Sequence, residues 1–177
     1  MTLAGVRTGH DNFKQLEERG GSMFRKFVVG ALSAIAVLFA TAAFAQQGGT
    51  AAEAKAMLEK AVAGIKGDKA KTLDQINNGE GGFHDRDLYP FCFNLDDGLL
   101  VAVGNPNVKQ LLGKDVRTFK DPTGDVYGPR LYAAAKEGAL TEVSYNSPKP
   151  GASSEWVPKA SFVTAVVGLG CGVGYYK

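Results

Sequence analysis

Lys159 is the side chain whose type and setting point most directly to chemistry. It follows Pro158 inside Trp156–Val167, a predominantly apolar stretch, where an ammonium group without a partner would cost free energy. A carboxylate ligand would supply that partner. An internal acid such as Glu142 or Glu155 would also supply it, so the sequence leaves a binding role and a structural ion pair both open.

Other residues are candidates for the same pocket, because ligand sites combine a few convergent polar groups with an apolar wall. These candidates are Arg130, Tyr127, Tyr145, Trp156 and Asn105. Some have a second interpretation. Arg130 could be a solvated surface residue, and Tyr145 and Trp156 could be core residues.

Motifs for catalysis or metal binding are absent from the sequence. It contains no GxSxG motif, no P-loop and no Cys–His arrangement typical of a nucleophile. His84 is the only histidine after residue 45, and neither zinc-ligand nor calcium-loop spacing accompanies it. We therefore predict a polar turn at His84, no metal site, no cofactor and no enzymatic activity.

The charge distribution argues against a nucleic-acid partner. The chain of 177 residues has a net charge of +2, with 20 Lys and Arg against 18 Asp and Glu. Residues 1–45 hold 5 of these cations and 3 of these anions, which leaves 15 of each in residues 46–177. A neutral domain has no general basic field to attract a polyphosphate.

The N-terminal region predicts a secretory signal. Residues 27–45 carry no charge, two basic residues precede them, and the run ends in the small-x-small pattern Ala-Phe-Ala. We predict a signal peptide over 23–45, cleaved between Ala45 and Gln46, and a product that is periplasmic or secreted. The alternative is a retained membrane anchor, since 19 apolar residues can just span a bilayer.

Residues 1–22 do not fit in front of a signal peptide. Gly20-Gly21-Ser22, directly before Met23, could be a ribosome-binding purine run read as codons. We predict that translation starts at Met23 and that 46–177 is the folded domain. The alternative for residues 1–22 is a short disordered cytoplasmic tail.

Residues 51–77 have helical periodicity. The apolar residues that recur on one helical face are Ala54, Met57, Leu58, Ala61, Val62 and Ile65. Their spacing predicts one amphipathic helix. Gly67-Asp68 interrupts the pattern, and Asp68 is suited to cap a new turn, so we predict one long helix with a kink or step there.

The sequence pattern of the rest of the domain predicts mainly strands. The predicted strands are Leu88–Leu95, Leu99–Val103, Leu140–Tyr145, Trp156–Val167 and Leu169–Tyr176. Asp96-Asp97-Gly98 is a hairpin signal between the first two. A short helix is predicted at Pro129–Lys136 and a polar loop at Ser147–Ser154. A long helix followed by five antiparallel strands indicates an α+β fold.

The order of these elements and several local strings resemble a single Cache domain of the second small type. Such domains are extracytoplasmic sensors with a PAS-like sheet and a long N-terminal helix. The matching strings are Asp87-Leu88-Tyr89-Pro90-Phe91, Leu95-Asp96-Asp97-Gly98, Gly104-Asn105-Pro106, Asp121-Pro122-Thr123-Gly124, Pro158-Lys159-Ala160-Ser161-Phe162-Val163 and Gly172-Val173-Gly174-Tyr175-Tyr176. The resemblance covers about 52–177 and implies a ligand-binding fold, in which the helix packs on a five-stranded antiparallel sheet.

The resemblance also bears on the two cysteines. In the resembled fold the first and last strands are neighbours in the centre of the sheet, so Cys92 and Cys171 could form a cross-strand disulfide. An oxidising compartment would favour that bond. The alternative is two buried free thiols that behave as small apolar groups.

Glycines alternate from the turn before the last predicted strand into that strand. They are Gly168, Gly170, Gly172 and Gly174. If the two cysteines share one face of the sheet, then Tyr89, Phe91 and Phe93 lie on the glycine face. Two interpretations follow: the aromatic rings pack over the glycines, or the glycines leave room for a ligand beside aromatic walls that include Phe91 and Phe93.

The resemblance implies a sensor of small organic acids or amino acids. Domains of this kind in chemoreceptors and sensor kinases are normally followed by a membrane helix and a signalling module, whereas this sequence ends at Lys177. We predict an extracytoplasmic domain that binds a small carboxylate or amino acid and has no signalling output of its own. It would act as a free binding protein or as an accessory subunit that presents ligand to a membrane sensor protein. It would touch the membrane only through an uncleaved signal segment. The alternative is a structural or interaction module with a filled pocket.

Overall fold

The computed structural model describes residues 48–149 and 152–177. The predicted signal peptide at 23–45, its cleavage site between Ala45 and Gln46, and the predicted start at Met23 lie outside the described residues. Within 48–149 and 152–177, no helix is long and apolar enough to cross a membrane.

Two consecutive helices open the described chain. Helix α1, Ala51–Gly67, begins at a capping box: Glu53 N donates to Thr50 Oγ1 at 3.2 Å, and Thr50 N donates to Glu53 Oε2 at 2.8 Å. Asp68 then leaves the helical conformation, with φ −150°, and its side chain accepts from Lys71 N at 3.0 Å. This cap starts helix α2, Lys69–Asn78. The predicted interruption at Gly67-Asp68 is therefore confirmed as a break between two helices.

Five strands form one antiparallel sheet. They are β1 (Pro90–Asn94), β2 (Leu100–Val103), β3 (Thr141–Lys149), β4 (Ala152–Val166) and β5 (Leu169–Tyr176). Their order across the sheet is β2-β1-β5-β4-β3. The first and last strands are thus neighbours, and the α+β class with a five-stranded antiparallel sheet is confirmed.

The prediction of a polar loop at Ser147–Ser154 was wrong in its extent. Strand β3 continues to Lys149, and β4 already begins at Ala152. The ladder extends through the pairs Ser147↔Val157 and Pro148↔Trp156. Polar residues can form a strand here because pairing with the neighbouring strand satisfies their backbone groups, whatever their side chains.

Pro158 lies within β4 without breaking it. Its carbonyl oxygen accepts from Lys177 N at 3.0 Å, just beyond the last β4–β5 pair, Lys159↔Tyr176. The nitrogen and the carbonyl of one strand residue point to the same side. The missing N–H of Pro158 therefore faces the end of β5, and no bond to β3 is lost.

The sheet separates two apolar layers. Helices α1 and α2 cover one face, where Ala54, Leu58 and Ile65 pack with Val173 and Leu169. The other face is covered by helix α3 (Gly128–Ala134) and by two 3₁₀ helices, Pro106–Leu111 and Val116–Thr118. Helix α3 was predicted at Pro129–Lys136, two residues longer at its C-terminal end.

Cys92 and Cys171 form a disulfide between the two central strands. The residues are directly paired in the β1–β5 register, their Cα atoms are 4.1 Å apart and the S–S distance is 2.11 Å. Both are fully buried on the face of the sheet that α1 and α2 cover. The bond predicted from the resemblance is therefore present, and the alternative of two free thiols does not hold.

The glycines of β5 make room for side chains on the opposite face. A Cβ at Gly170 would lie 2.3 Å from Phe93 Cζ, and one at Gly172 would lie 2.6 Å from Phe91 Cζ. At Gly174 the contact is with Lys159 Cε, at 2.6 Å. Aromatic rings over glycines account for two of these positions, and the third receives the stem of the buried lysine.

Two Gly→Ala variants test this packing. Gly170→Ala is expected to destabilise the domain by about 1–3 kcal/mol, because its methyl group overlaps Phe93 and lies 2.8 Å from Ala135 Cβ. Gly67→Ala, at the end of α1, has no neighbour within 4 Å and should gain up to about 1 kcal/mol. Urea denaturation measures both. Equal free energies of unfolding for the two variants would contradict the close approach at Gly170.

Candidate functional site

A cavity of about 420 Å³ opens on the face of the sheet opposite α1 and α2. Its aromatic lining consists of Tyr89, Phe91, Phe119, Tyr127, Tyr145 and Trp156, and its aliphatic lining of Leu100, Val103, Val108, Leu111 and Leu131. Strands supply one wall, and the 3₁₀ helices with the loop that follows them supply the other. A largely apolar concavity of this size with few polar groups is the usual form of a small-molecule site.

Lys159 is the buried cation of this cavity. Strand β4 directs it to the cavity face, and only 3% of the residue is exposed. Its Nζ lies 4.4 Å from the centroid of the Tyr176 ring and 5.0 Å from that of Tyr89. The two rings offer their negative faces to the ammonium, which partly offsets the loss of water.

No hydrogen bond or ion pair joins Lys159 to another residue within 48–149 and 152–177. Glu142, one of the two acids that could have paired with it, instead forms an ion pair with Lys177 at 3.2 Å. The polar atoms that Lys159 needs are therefore not supplied by the described protein. They can come from a molecule in the cavity.

Burial lowers the pKa of Lys159 from its ordinary value of 10.5 to about 8, and the charge of Asp87 opposes this shift. The group is still mostly protonated at neutral pH. A desolvated ammonium with no direct counter-ion attracts anions more strongly than a surface lysine, because the surrounding medium screens it less.

Asp87 is a buried acid whose charge acts on the pKa of Lys159. The residue is 9% exposed, and its Oδ1 accepts from Gly49 N at 2.5 Å. Its Oδ2 is buried without a hydrogen-bond partner in the described part of the chain. Asp87 acts on Lys159 through its charge without a direct ion pair, and it does not line the cavity.

Two tyrosines stack on each other beside the lysine. The rings of Tyr127 and Tyr145 stack with centroids 4.4 Å apart and planes inclined by 11°. The Tyr145 hydroxyl shares a 2.7 Å hydrogen bond with Ser161 Oγ. Burial raises the pKa of Tyr127 to about 12 and also raises that of Tyr145. Both hydroxyls therefore stay neutral at physiological pH.

The structure brings together five of the eight residues proposed for the pocket from sequence. Lys159, Tyr127, Tyr145, Trp156 and Phe91 all line the cavity. They come from β1, β3, β4 and the residue before α3, so only the folded sheet makes them neighbours.

The other three proposed residues have different positions. Arg130 forms a bidentate ion pair with Asp125, at 2.7 and 2.8 Å, on the exposed surface. Asn105 caps the 3₁₀ helix Pro106–Leu111 through its side-chain oxygen. Phe93 is fully buried over Gly170 and does not reach the cavity. Each side chain already has protein contacts of its own.

Sequence reasoning missed part of the lining. Phe119 and Lys120, which follow the 3₁₀ helix Val116–Thr118, line the cavity, as does Gln110. Gln110 lies in the short 3₁₀ helix Pro106–Leu111, and Phe119 and Lys120 lie in an irregular segment. Neither segment has a periodicity long enough to distinguish these residues from ordinary loop residues.

His84 is exposed and lies just before the turn that leads into β1. Within 48–149 and 152–177, no three His, Cys, Asp or Glu side chains are grouped so that they could hold a metal ion. The cavity and its lysine are therefore the feature with the clearest potential for binding.

The described chain combines two consecutive helices, the strand order β2-β1-β5-β4-β3 and a cavity over one face of the sheet. No protein-family model matches the chain, and no curated protein does. Solved structures do match. One, described as the periplasmic sensor domain of a chemotaxis protein, is 24% identical with a TM-score of 0.52, and the match covers 70% of this chain and 88% of that one. Another, a methyl-accepting chemotaxis protein from Vibrio parahaemolyticus RIMD 2210633, is 20% identical with a TM-score of 0.53, covering 70% and 86%. The chain shares the fold of these sensor domains.

Proposed function

We propose that this chain is an extracytoplasmic domain that binds a small carboxylate, or an amino acid through its carboxylate, in the cavity around Lys159. The observation that carries the proposal is a lysine that is only 3% exposed, has no ion-pair partner in the described chain and faces a cavity of about 420 Å³. A carboxylate supplies the missing charge and hydrogen-bond acceptors.

The surrounding residues have distinct roles in this proposal. Lys159 pairs with the carboxylate, and Tyr89 and Tyr176 hold the ammonium between their rings. The Tyr127–Tyr145 stack and Trp156 cover the apolar body of the ligand and exclude water. These roles are those of a binding site, and the proposal is binding without turnover.

The biological role follows by analogy with the structural neighbours, which are sensor domains of chemotaxis proteins. We propose a periplasmic or secreted location and a membrane sensor protein as the partner that receives the ligand signal. The rival proposal, an interaction module with a filled interior, is less well supported because the cavity is open. Neither partner nor compartment is needed for the binding proposal itself.

A thermal-shift panel tests the proposed function. Each carboxylate is compared with the amide of the same shape, such as acetate with acetamide, so that only the charge differs. A ligand at 100 times its dissociation constant adds about 2.7 kcal/mol to the free energy of unfolding. We expect stabilisation by at least one carboxylate and none by its amide. A well-folded protein that responds to no acid in the panel would favour the interaction module.

Binding is also expected to depend on pH. The pKa of Lys159 in the folded protein is about 8. The side chain is therefore almost fully protonated at pH 7 and almost fully deprotonated at pH 10. Carboxylate affinity should therefore fall by about 100-fold between pH 7 and pH 10, with the decrease starting near pH 8. Calorimetric titration at several pH values measures this. An affinity that stays constant to pH 10 would exclude Lys159 as the anchor.

A further inference from the structure

We infer that the ligand of this cavity is an aromatic monocarboxylate, an acid with one flat ring and one negative charge, of about the size of phenylacetate. The inference rests on the proposed carboxylate site and adds the class of ligand. Three properties of the cavity carry it: its volume, the composition of its walls and its charge.

The volume exceeds what a two- or three-carbon acid would fill. An apolar cavity of about 150 Å³ is already enough to hold benzene, and this cavity measures about 420 Å³. Acetate on Lys159 would leave most of that space to water. The aliphatic wall, which includes Leu100, Val103 and Leu131, offers such water no hydrogen bonds.

The walls favour a flat apolar body. Six of the lining residues are aromatic, and the rings of Tyr127 and Tyr145 are stacked in nearly parallel planes. Aromatic rings attract one another in offset-stacked and edge-to-face arrangements, beyond the effect of buried area alone. Trp156 and Phe119 offer further ring surfaces around the same space. An aromatic ring meets partners of this kind on several sides.

The charge of the cavity matches one carboxylate. Lys159 is the only buried cation in its described lining, because Lys120 is exposed and Arg130 is held by Asp125. A second carboxylate would lose water without a buried partner. An α-ammonium would have the same difficulty, since none of the described residues that line the cavity is acidic and Asp87 lies outside the lining.

Trp156 provides a direct readout of binding. It is the only tryptophan of the chain and it lines the cavity. We would titrate the full-length product, in the form in which the expression host processes it, and follow tryptophan emission. The probes are phenylacetate, acetate, cyclohexylacetate, phenylsuccinate, phenylalanine and phenylacetamide.

We expect phenylacetate to bind at least about 100-fold more tightly than acetate, since a phenyl group adds a large buried apolar area. It should also bind more tightly than cyclohexylacetate, phenylsuccinate and phenylalanine. Tyr127→Leu should weaken phenylacetate by roughly tenfold and leave acetate nearly unchanged. Arg130→Met, on the exposed surface outside the cavity, is the matched control and should change neither affinity.

The outcomes separate this inference from the proposed function. Acetate or cyclohexylacetate binding as tightly as phenylacetate would overturn the aromatic class and leave the carboxylate site standing. Tighter binding of phenylsuccinate or phenylalanine would overturn the assignment of a single charge. Phenylacetamide binding as tightly as phenylacetate, or no binding by any acid, would overturn the proposed function itself.

Discussion

Lys159→Met is expected to raise the stability of the domain and to weaken its binding of carboxylates strongly. The pKa of Lys159 is about 8 in the folded chain against an ordinary 10.5, so folding desolvates a charged group at a cost on the order of 3 kcal/mol at pH 7. Methionine fills a similar volume without charge. Loss of a charged hydrogen bond to the ligand should weaken binding roughly 100-fold.

The sign of the pH effect follows from the same pKa. Between pH 8 and 10.5 the unfolded chain holds the Lys159 proton more tightly than the folded chain does. The wild-type free energy of unfolding should therefore rise with pH across this window, and the gain from Lys159→Met should shrink by the same amount.

Urea denaturation at pH 7 and pH 10.5, together with calorimetric titration of a carboxylate, checks this prediction. Lys120→Met is the matched control, because Lys120 lines the same cavity but is exposed. It should change stability and affinity little. If Lys159→Met lost stability at pH 7 as well as binding, the lysine would be a structural residue.

Removal of the disulfide should have the second large effect. The bond between Cys92 and Cys171 spans 79 residues of chain, and closing a loop of this length restricts the unfolded state by about 4 kcal/mol. We expect the double variant Cys92→Ala, Cys171→Ala to melt roughly 10–20 °C lower than the wild type. Two alanines avoid placing a hydroxyl in the fully buried site.

Reductant provides the control for this experiment. The wild type should fall toward the melting temperature of the variant when the disulfide is reduced in the unfolded state, and the variant should not respond. If the difference in melting temperature between the two proteins were the same with and without reductant, the disulfide would contribute nothing to stability. The lower melting temperature of the variant would then come from altered packing around the cysteines.

The helices and most strands were predictable because their side chains repeat with the period of the element that they form. The break at Asp68 was also predictable, since a carboxylate suited to capping follows a glycine. The extension of β3 to Lys149 was not predictable. Its residues, including Pro148, are paired because β4 lies beside them, and nothing in their own sequence supplies that partner.

The site was predictable to the extent that its chemistry is local. Lys159 is a cation in a predominantly apolar strand, and its neighbours in the sequence are enough to identify it as a candidate. The ion pair of Arg130 with Asp125, five residues away, depends on where helix α3 starts. The influence of Asp87 on Lys159 depends on bringing β1 and β4 into one sheet. Such relations arise only when the chain is folded.

The two faces of β5 have a consequence for how the domain can evolve. Cys171 and Val173 point to the layer that includes helices α1 and α2, and Gly172 and Gly174 point to the face that holds the cavity. Substitutions in separate layers share few partners and add independently. A lineage can therefore exchange the residues that recognise ligand, one after another, while the disulfide-linked layer keeps the scaffold intact.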